Sequence, residues 1–161
     1  MNRSGYLAVV IAGLAVAGCN PFRQKPAVEV STSDVHAYAR WSGTLTSPAA
    51  LAGAVQMTGS ATMTPGSDST TTTVRLNLSN ASPGGVHPWQ LHRGQCGRDE
   101  GVFGPASAYQ PVTVNAEGRA SGSATVPLVM PTDGDFYVSV SASAANAEMI
   151  VACGNLAPPA R

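Results

Sequence analysis

"TTTVRLNLSN", residues 71–80, reads as a β-strand. Val74, Leu76 and Leu78 return at every second position, with Arg75 and Asn77 between them. One face is therefore apolar and the other wet, the period of a half-buried strand rather than a helix. Upstream, "PGSDST" (65–70) is a hairpin loop. It leads back to "GAVQMTGSATMT" (53–64), where Val55, Met57, Ala61 and Met63 keep period two across Gly59, an expected bulge or kink. Further back, "VHAYARWSGTLT" (35–46) gives a first strand with Ala37, Ala39 and Trp41 on one face.

Downstream, "ASPGG" (81–85) turns the chain into "GVHPWQLHRGQC" (85–96), a strand carrying His87 and His92. The following "GRDEGVFGPASAYQP" (97–111) has no period and is expected to form an ordered loop. "VTVNAEGRASGSATV" (112–126) predicts a hairpin with Asn115 and Gly118 in its turn. In "FYVSVSA" (136–142), Phe136, Val138 and Val140 alternate with Tyr137, Ser139 and Ser141, and "AEMIVACGNL" (147–156) supplies a last strand. Ala, Ser, Thr, Gly and Val dominate, and turn residues recur at short intervals. Seven or eight short strands without a convincing helix predict an all-β, Greek-key β-sandwich or barrel.

The start of the chain has a different character. Arg3 precedes the apolar run "YLAVVIAGLAVAG" (6–18), which is short for a membrane span and ends in "VAGC" (16–19). That ending resembles the bacterial lipobox, an aliphatic residue and two small ones before a cysteine. It implies that residues 1–18 are a lipoprotein signal peptide and that Cys19 is lipidated, tethering the protein to a bacterial membrane on its periplasmic or outer side. Each buried acyl CH₂ contributes about 0.8 kcal/mol to such attachment. Residues 19–36, with two prolines and no lasting period, read as a flexible tether. The β domain is expected over 37–157, with a short tail at 158–161.

Three cysteines in an exported chain leave one unpaired. With Cys19 assigned to lipid, Cys96 and Cys153 remain to pair in an oxidising compartment. A zinc site would need ligand spacing of the C-x-x-C kind, which is missing. Nine basic and nine acidic residues balance to zero. No basic patch suggests nucleic acid, and no acidic tail suggests a charged partner.

"GVHPWQLHRGQC" resembles the G-x-H-G-F-H-x-H strand of the Cu/Zn superoxide dismutase superfamily with the disulfide cysteine that follows it. "VACGNL" (151–156) resembles the A-C-G-V-I strand carrying the partner cysteine. The pattern is closer still to short bacterial exported members with motifs of the type P-W-H-x-H-x-G-x-C, V-x-V-H-A-S and A-C-G-x-L. The resemblance runs from about Leu51 to Leu156. It implies a dismutase-like β domain with a Cys96–Cys153 bond.

Where this sequence departs from the family, the metal chemistry goes. Positions 90 and 92 share a strand face, as a metal-binding H-x-H pair must. Position 90 is Gln90, whose amide is a poor copper ligand, so His92 alone matches a copper position. His87 falls on a histidine that is structural in the family. Ser141 stands where the later strand has a histidine, Ile150 stands where an arginine guides superoxide, and the zinc loop's histidines have no counterpart in 97–114. Pro88 replaces a glycine.

Gln90 and Ser141 thus mark degenerate ligand positions. No metal is expected, with His92 and His87 as residual candidates and His36 as a distant third. His92 is expected at the surface or facing a loop, bonded to backbone. Trp89 is expected in the core, on the face shared with His87 and Leu91. Gln90 is expected in a hydrogen-bond network replacing the metal, and Asp99 and Glu100 at a solvated loop tip. No G-x-S-x-G elbow appears, and no Ser/His/Asp order signals a hydrolase.

The resulting expectation is a non-catalytic, membrane-tethered envelope lipoprotein, anchored through Cys19 and without a cofactor. Its dismutase-like domain would act as a binding or structural module. The alternatives are a residual, weakly copper-binding protein that handles copper or superoxide, and a partner of another envelope protein.

Overall fold

Alternating burial along residues 72–79 organises the sheet: Thr72, Val74, Leu76 and Leu78 are buried, and Arg75, Asn77 and Ser79 are exposed. The computed structural model describes residues 39–159. Cys19, His36, the predicted signal and tether and the end of the tail lie outside them. The strands are β1 (Trp41–Thr46), β2 (Thr58–Pro65), β3 (Thr72–Ser79), β4 (Val86–His87) and β5 (Trp89–Gln95). They continue with β6 (Arg98–Val102), β7 (Val112–Thr113), β8 (Ala120–Val126), β9 (Phe136–Ser143) and β10 (Asn146–Leu156). The described helical segments are two 3-10 turns, Ala49–Leu51 and Ala106–Ala108.

Eight strands form one antiparallel sheet in the order β6-β5-β9-β10-β1-β2-β3-β8, and β4 pairs with β7 in a small second sheet. The large sheet curls on itself. Gly122 on β8 and Trp89 on β5 lie toward opposite ends of the strand order. Yet a Cβ added at Gly122 would come within 2.9 Å of the Trp89 indole nitrogen. Trp89, Leu45, Met63, Leu76, Leu91 and Val138 fill the enclosed space at 1% exposure or less. This is the expected all-β barrel or sandwich. Cys96 and Cys153 form a disulfide with a Cα–Cα distance of 6.0 Å, joining the β5–β6 turn to β10.

Several local expectations change. The ladder of β1 begins at Trp41, so it takes in neither Ala37 nor Ala39; residue 37 lies outside the described region. The β2–β3 register runs unbroken through Gly59, so Gly59 is not a bulge. Its role is close approach, because a Cβ there would meet the Asn77 carbonyl oxygen. The expected loop after Cys96 contains β6, which pairs with β5. Asn115 and Gly118 do make a turn, with the Asn115 amide donating to the Arg119 carbonyl at 2.8 Å. However, β7 pairs with β4 and β8 with β3, so the turn is a corner between two sheets rather than a hairpin.

Candidate functional site

Strand parity sorts the residues around β5. Trp89 and Leu91 point into the core. Gln90 and His92 point the other way, into a cleft of about 1090 Å³. The next strand, β9, is buried on both faces through Ser141. Phe136, Val138 and Val140 join the core, while Tyr137, Ser139 and Ser141 line the cleft. Register sets the rows of its floor: Gln90 opposite Ser139 opposite Cys153, and His92 opposite Tyr137. Ser141 stands opposite Ile150, and its amide donates to the Pro88 carbonyl at 2.8 Å. The segment Thr46–Ala49, from the last residue of β1 onward, forms part of the wall.

His92 is therefore a cleft-floor residue, 8% exposed; it is not at the surface, but it does face the segment after Cys96 that was expected to be a loop. Its Nδ1 lies 2.9 Å from Asp99 Oδ1 and its Nε2 lies 3.1 Å from Ser139 Oγ. A carboxylate can only accept, so Nδ1–H donates to Asp99. In the neutral imidazole Nε2 is then the acceptor, and the Ser139 hydroxyl donates to it. The ring stacks on Tyr137 at a centroid distance of 4.9 Å. Both its partners are side chains, where a backbone bond was expected.

A bulge delivers Asp99. Between the His92–Val102 and Gly94–Asp99 pairs, β6 has one residue more than β5, and Gly101 takes a φ of 101°. The Gly101 amide donates to Asp99 Oδ1 at 2.8 Å. That bond, followed by the contact with His92, holds the Asp99 carboxyl below the usual aspartate range. Asp99 remains 56% exposed, so the expected solvated position holds, but with its carboxylate turned inward to His92. Tyr137 is pushed up to about 12, first by burial and then by the Asp99 charge.

His87 lies on the opposite face, 8% exposed, with Nδ1 donating to the Ser141 carbonyl at 3.0 Å. Its Nε2 is buried without a hydrogen-bond partner among the described residues. The two histidines therefore do not converge. The Gln90 side-chain amide has no hydrogen-bond partner among the described residues, so the expected network forms around His92 and Ser139 without it. Trp89 sits in the core, 1% exposed, its indole donating to the Gln110 carbonyl at 2.8 Å.

The donor set does not suit a redox metal. Among the described residues no three His, Cys, Asp or Glu side chains gather. Of the three positions that the resemblance assigns to copper ligands, two carry an amide and a hydroxyl and only His92 an imidazole. What does assemble is a serine, a histidine and an aspartate in hydrogen-bond order. Sequence reading missed it because Ser139 lies 47 residues from His92 and only strand register brings them together. The one available signal was the parity of Ser139 with Tyr137 and Ser141. No protein-family model matches the chain, and no curated protein matches it.

Proposed function

We propose that this protein is a lipid-anchored envelope lipoprotein whose dismutase-like β domain works as a binding module, without a metal and without dismutase activity. The carrying observation is the cleft floor. It has Gln90, Ser139 and Ser141 around a single imidazole whose two nitrogens already have partners. Dismutation requires a redox ion held by several imidazoles with an open position. One engaged histidine does not supply that. The motifs around Cys96 and Cys153 support kinship with the dismutase superfamily. "VAGC" supports lipidation at Cys19 and attachment to a bacterial membrane, with the tether lifting the cleft toward a small ligand or another envelope protein.

Elemental analysis of protein purified without a tag, followed by calorimetric copper titration, tests the reading. Neither bound metal nor tight copper binding is expected. Sub-micromolar copper affinity would overturn it. Mass spectrometry of membrane-extracted protein should find the mature chain beginning at a modified Cys19.

A further inference from the structure

We propose that Ser139, His92 and Asp99 form an acyl-transfer site in the cleft floor, with Ser139 as the nucleophile and neutral carboxylic esters as the substrate class. This adds chemistry to the cleft assigned above to binding. It does not depend on the metal reading.

The geometry has the two links that an activated serine needs. Ser139 Oγ lies 3.1 Å from His92 Nε2, and His92 Nδ1 lies 2.9 Å from Asp99 Oδ1. Such a chain is recognised by geometry and roles rather than by order in the sequence. Each member is also held in place. Ser139 sits mid-strand between two paired neighbours, β5 and β10. The His92 ring is stacked on Tyr137. Asp99 is fixed by the Gly101 amide, which leaves it a positioning residue that keeps Nδ1–H toward itself and the Nε2 lone pair toward Ser139.

The cleft defines the substrate. Pro48, Ala49, Pro88, Val102 and Ile150 give it apolar walls, and its carboxylates are Asp99 and Glu148. Two negative charges and no lysine or arginine in the lining disfavour an anionic substrate. Gln90, directly across the ladder from Ser139, faces the same cleft and can offer its amide N–H to a developing oxyanion.

In the reaction, Ser139 Oγ attacks the ester carbonyl carbon as its proton passes to His92 Nε2. The tetrahedral adduct collapses, the carbonyl–alkoxy bond breaks, and the leaving oxygen takes the proton from His92. Acyl-Ser139 and a free alcohol result. Water, deprotonated by His92, then attacks the acyl group and releases a carboxylic acid, and the returning proton restores Ser139. No oxidant or other co-reactant is needed.

The test uses the purified lipid-free mature chain with an alkyl fluorophosphonate, and p-nitrophenyl acetate as the ester. The folded protein should take up one phosphonyl group, mapped by peptide mass to Ser139, and lose this reactivity in urea. Ser139→Ala should abolish labelling, and His92→Gln should slow it by about 10²-fold or more, the contribution of a general base. Asp99→Asn removes the charge from an exposed position with little risk to folding. It should slow labelling at least about tenfold. It should lower kcat for the acetate more than it raises KM. An unlabelled folded protein overturns the proposal. So does labelling that survives Ser139→Ala, or that proceeds unchanged in folded Asp99→Asn. Metal analysis reads a different property, so either claim can fail alone.

Discussion

Trp89 carries two duties that one side chain combines: its ring fills the core beside Gly122, and its indole N–H satisfies the Gln110 carbonyl. Trp89→Phe keeps an aromatic ring but leaves that carbonyl without its donor and opens a void. An unpaired polar group and a partial cavity together predict a loss of about 2–4 kcal/mol, measurable by urea unfolding. A second residue-scale prediction concerns Gln90 and Ser141. They line the same cleft from neighbouring strands, with Ser141 two residues along β9 from Ser139, the ladder partner of Gln90. Gln90→His together with Ser141→His would place two imidazoles near His92, so copper affinity should rise well above that of the parent in calorimetric titration. Equal, negligible binding by both would mean that the three positions do not converge. The orientations of Trp89, Gln90 and Ser141 were legible because parity alone sets them. The partners of His92 were not, since parity says which way a side chain points and nothing about which strand lies beside it.

At the scale of elements, β3, β9 and the end of β10 were legible because each presents an apolar row to the core. β6 was not. It is an edge strand of exposed Arg98, Asp99, Glu100 and Gly101, so it has no apolar period to reveal it. Polar edge strands resist pairing with other chains, at the cost of looking like loops in the sequence. What holds β6 in place is its pairing with β5 and the disulfide beside it. Cys96 also donates its amide to Asn155 Oδ1 at 2.8 Å, and Arg98 lies 3.8 Å from Asp135. Reduction of Cys96–Cys153 should therefore act unevenly. Closing a loop of 57 residues is worth about 4 kcal/mol in the chain-entropy model, and measured values often fall below that. Hydrogen exchange after reduction should rise first at residues 94–102, while the continuous β2–β3 ladder keeps its protection. Uniform acceleration across both regions would show that the bond acts only on the unfolded chain.

Across the whole molecule, the curl of the sheet buries tyrosines from separate parts of the chain, one in the loop after β6 and one on β9. Tyr109 packs its ring edge-on to Trp89 and donates its hydroxyl to the Phe103 carbonyl at 2.7 Å. Burial pushes its phenol well above the usual tyrosine range. Tyr137, stacked on His92 near the Asp99 carboxylate, is raised to about 12. In the unfolded chain both return to about 10. The folded protein therefore holds these protons more tightly than the unfolded chain does. Their contribution is fully present below about pH 10 and is lost as pH rises toward the folded values. Urea midpoints should thus stay level with respect to these groups up to about pH 10 and fall steeply beyond it. Tyr137→Phe should flatten that fall, because it removes one of the two linked protons. The companion change Tyr109→Phe should flatten it too, but from a lower starting stability, since the Phe103 carbonyl loses its buried donor, a deficit of about 1–3 kcal/mol. A midpoint that falls equally in the parent and both variants would place the alkaline loss elsewhere in the molecule.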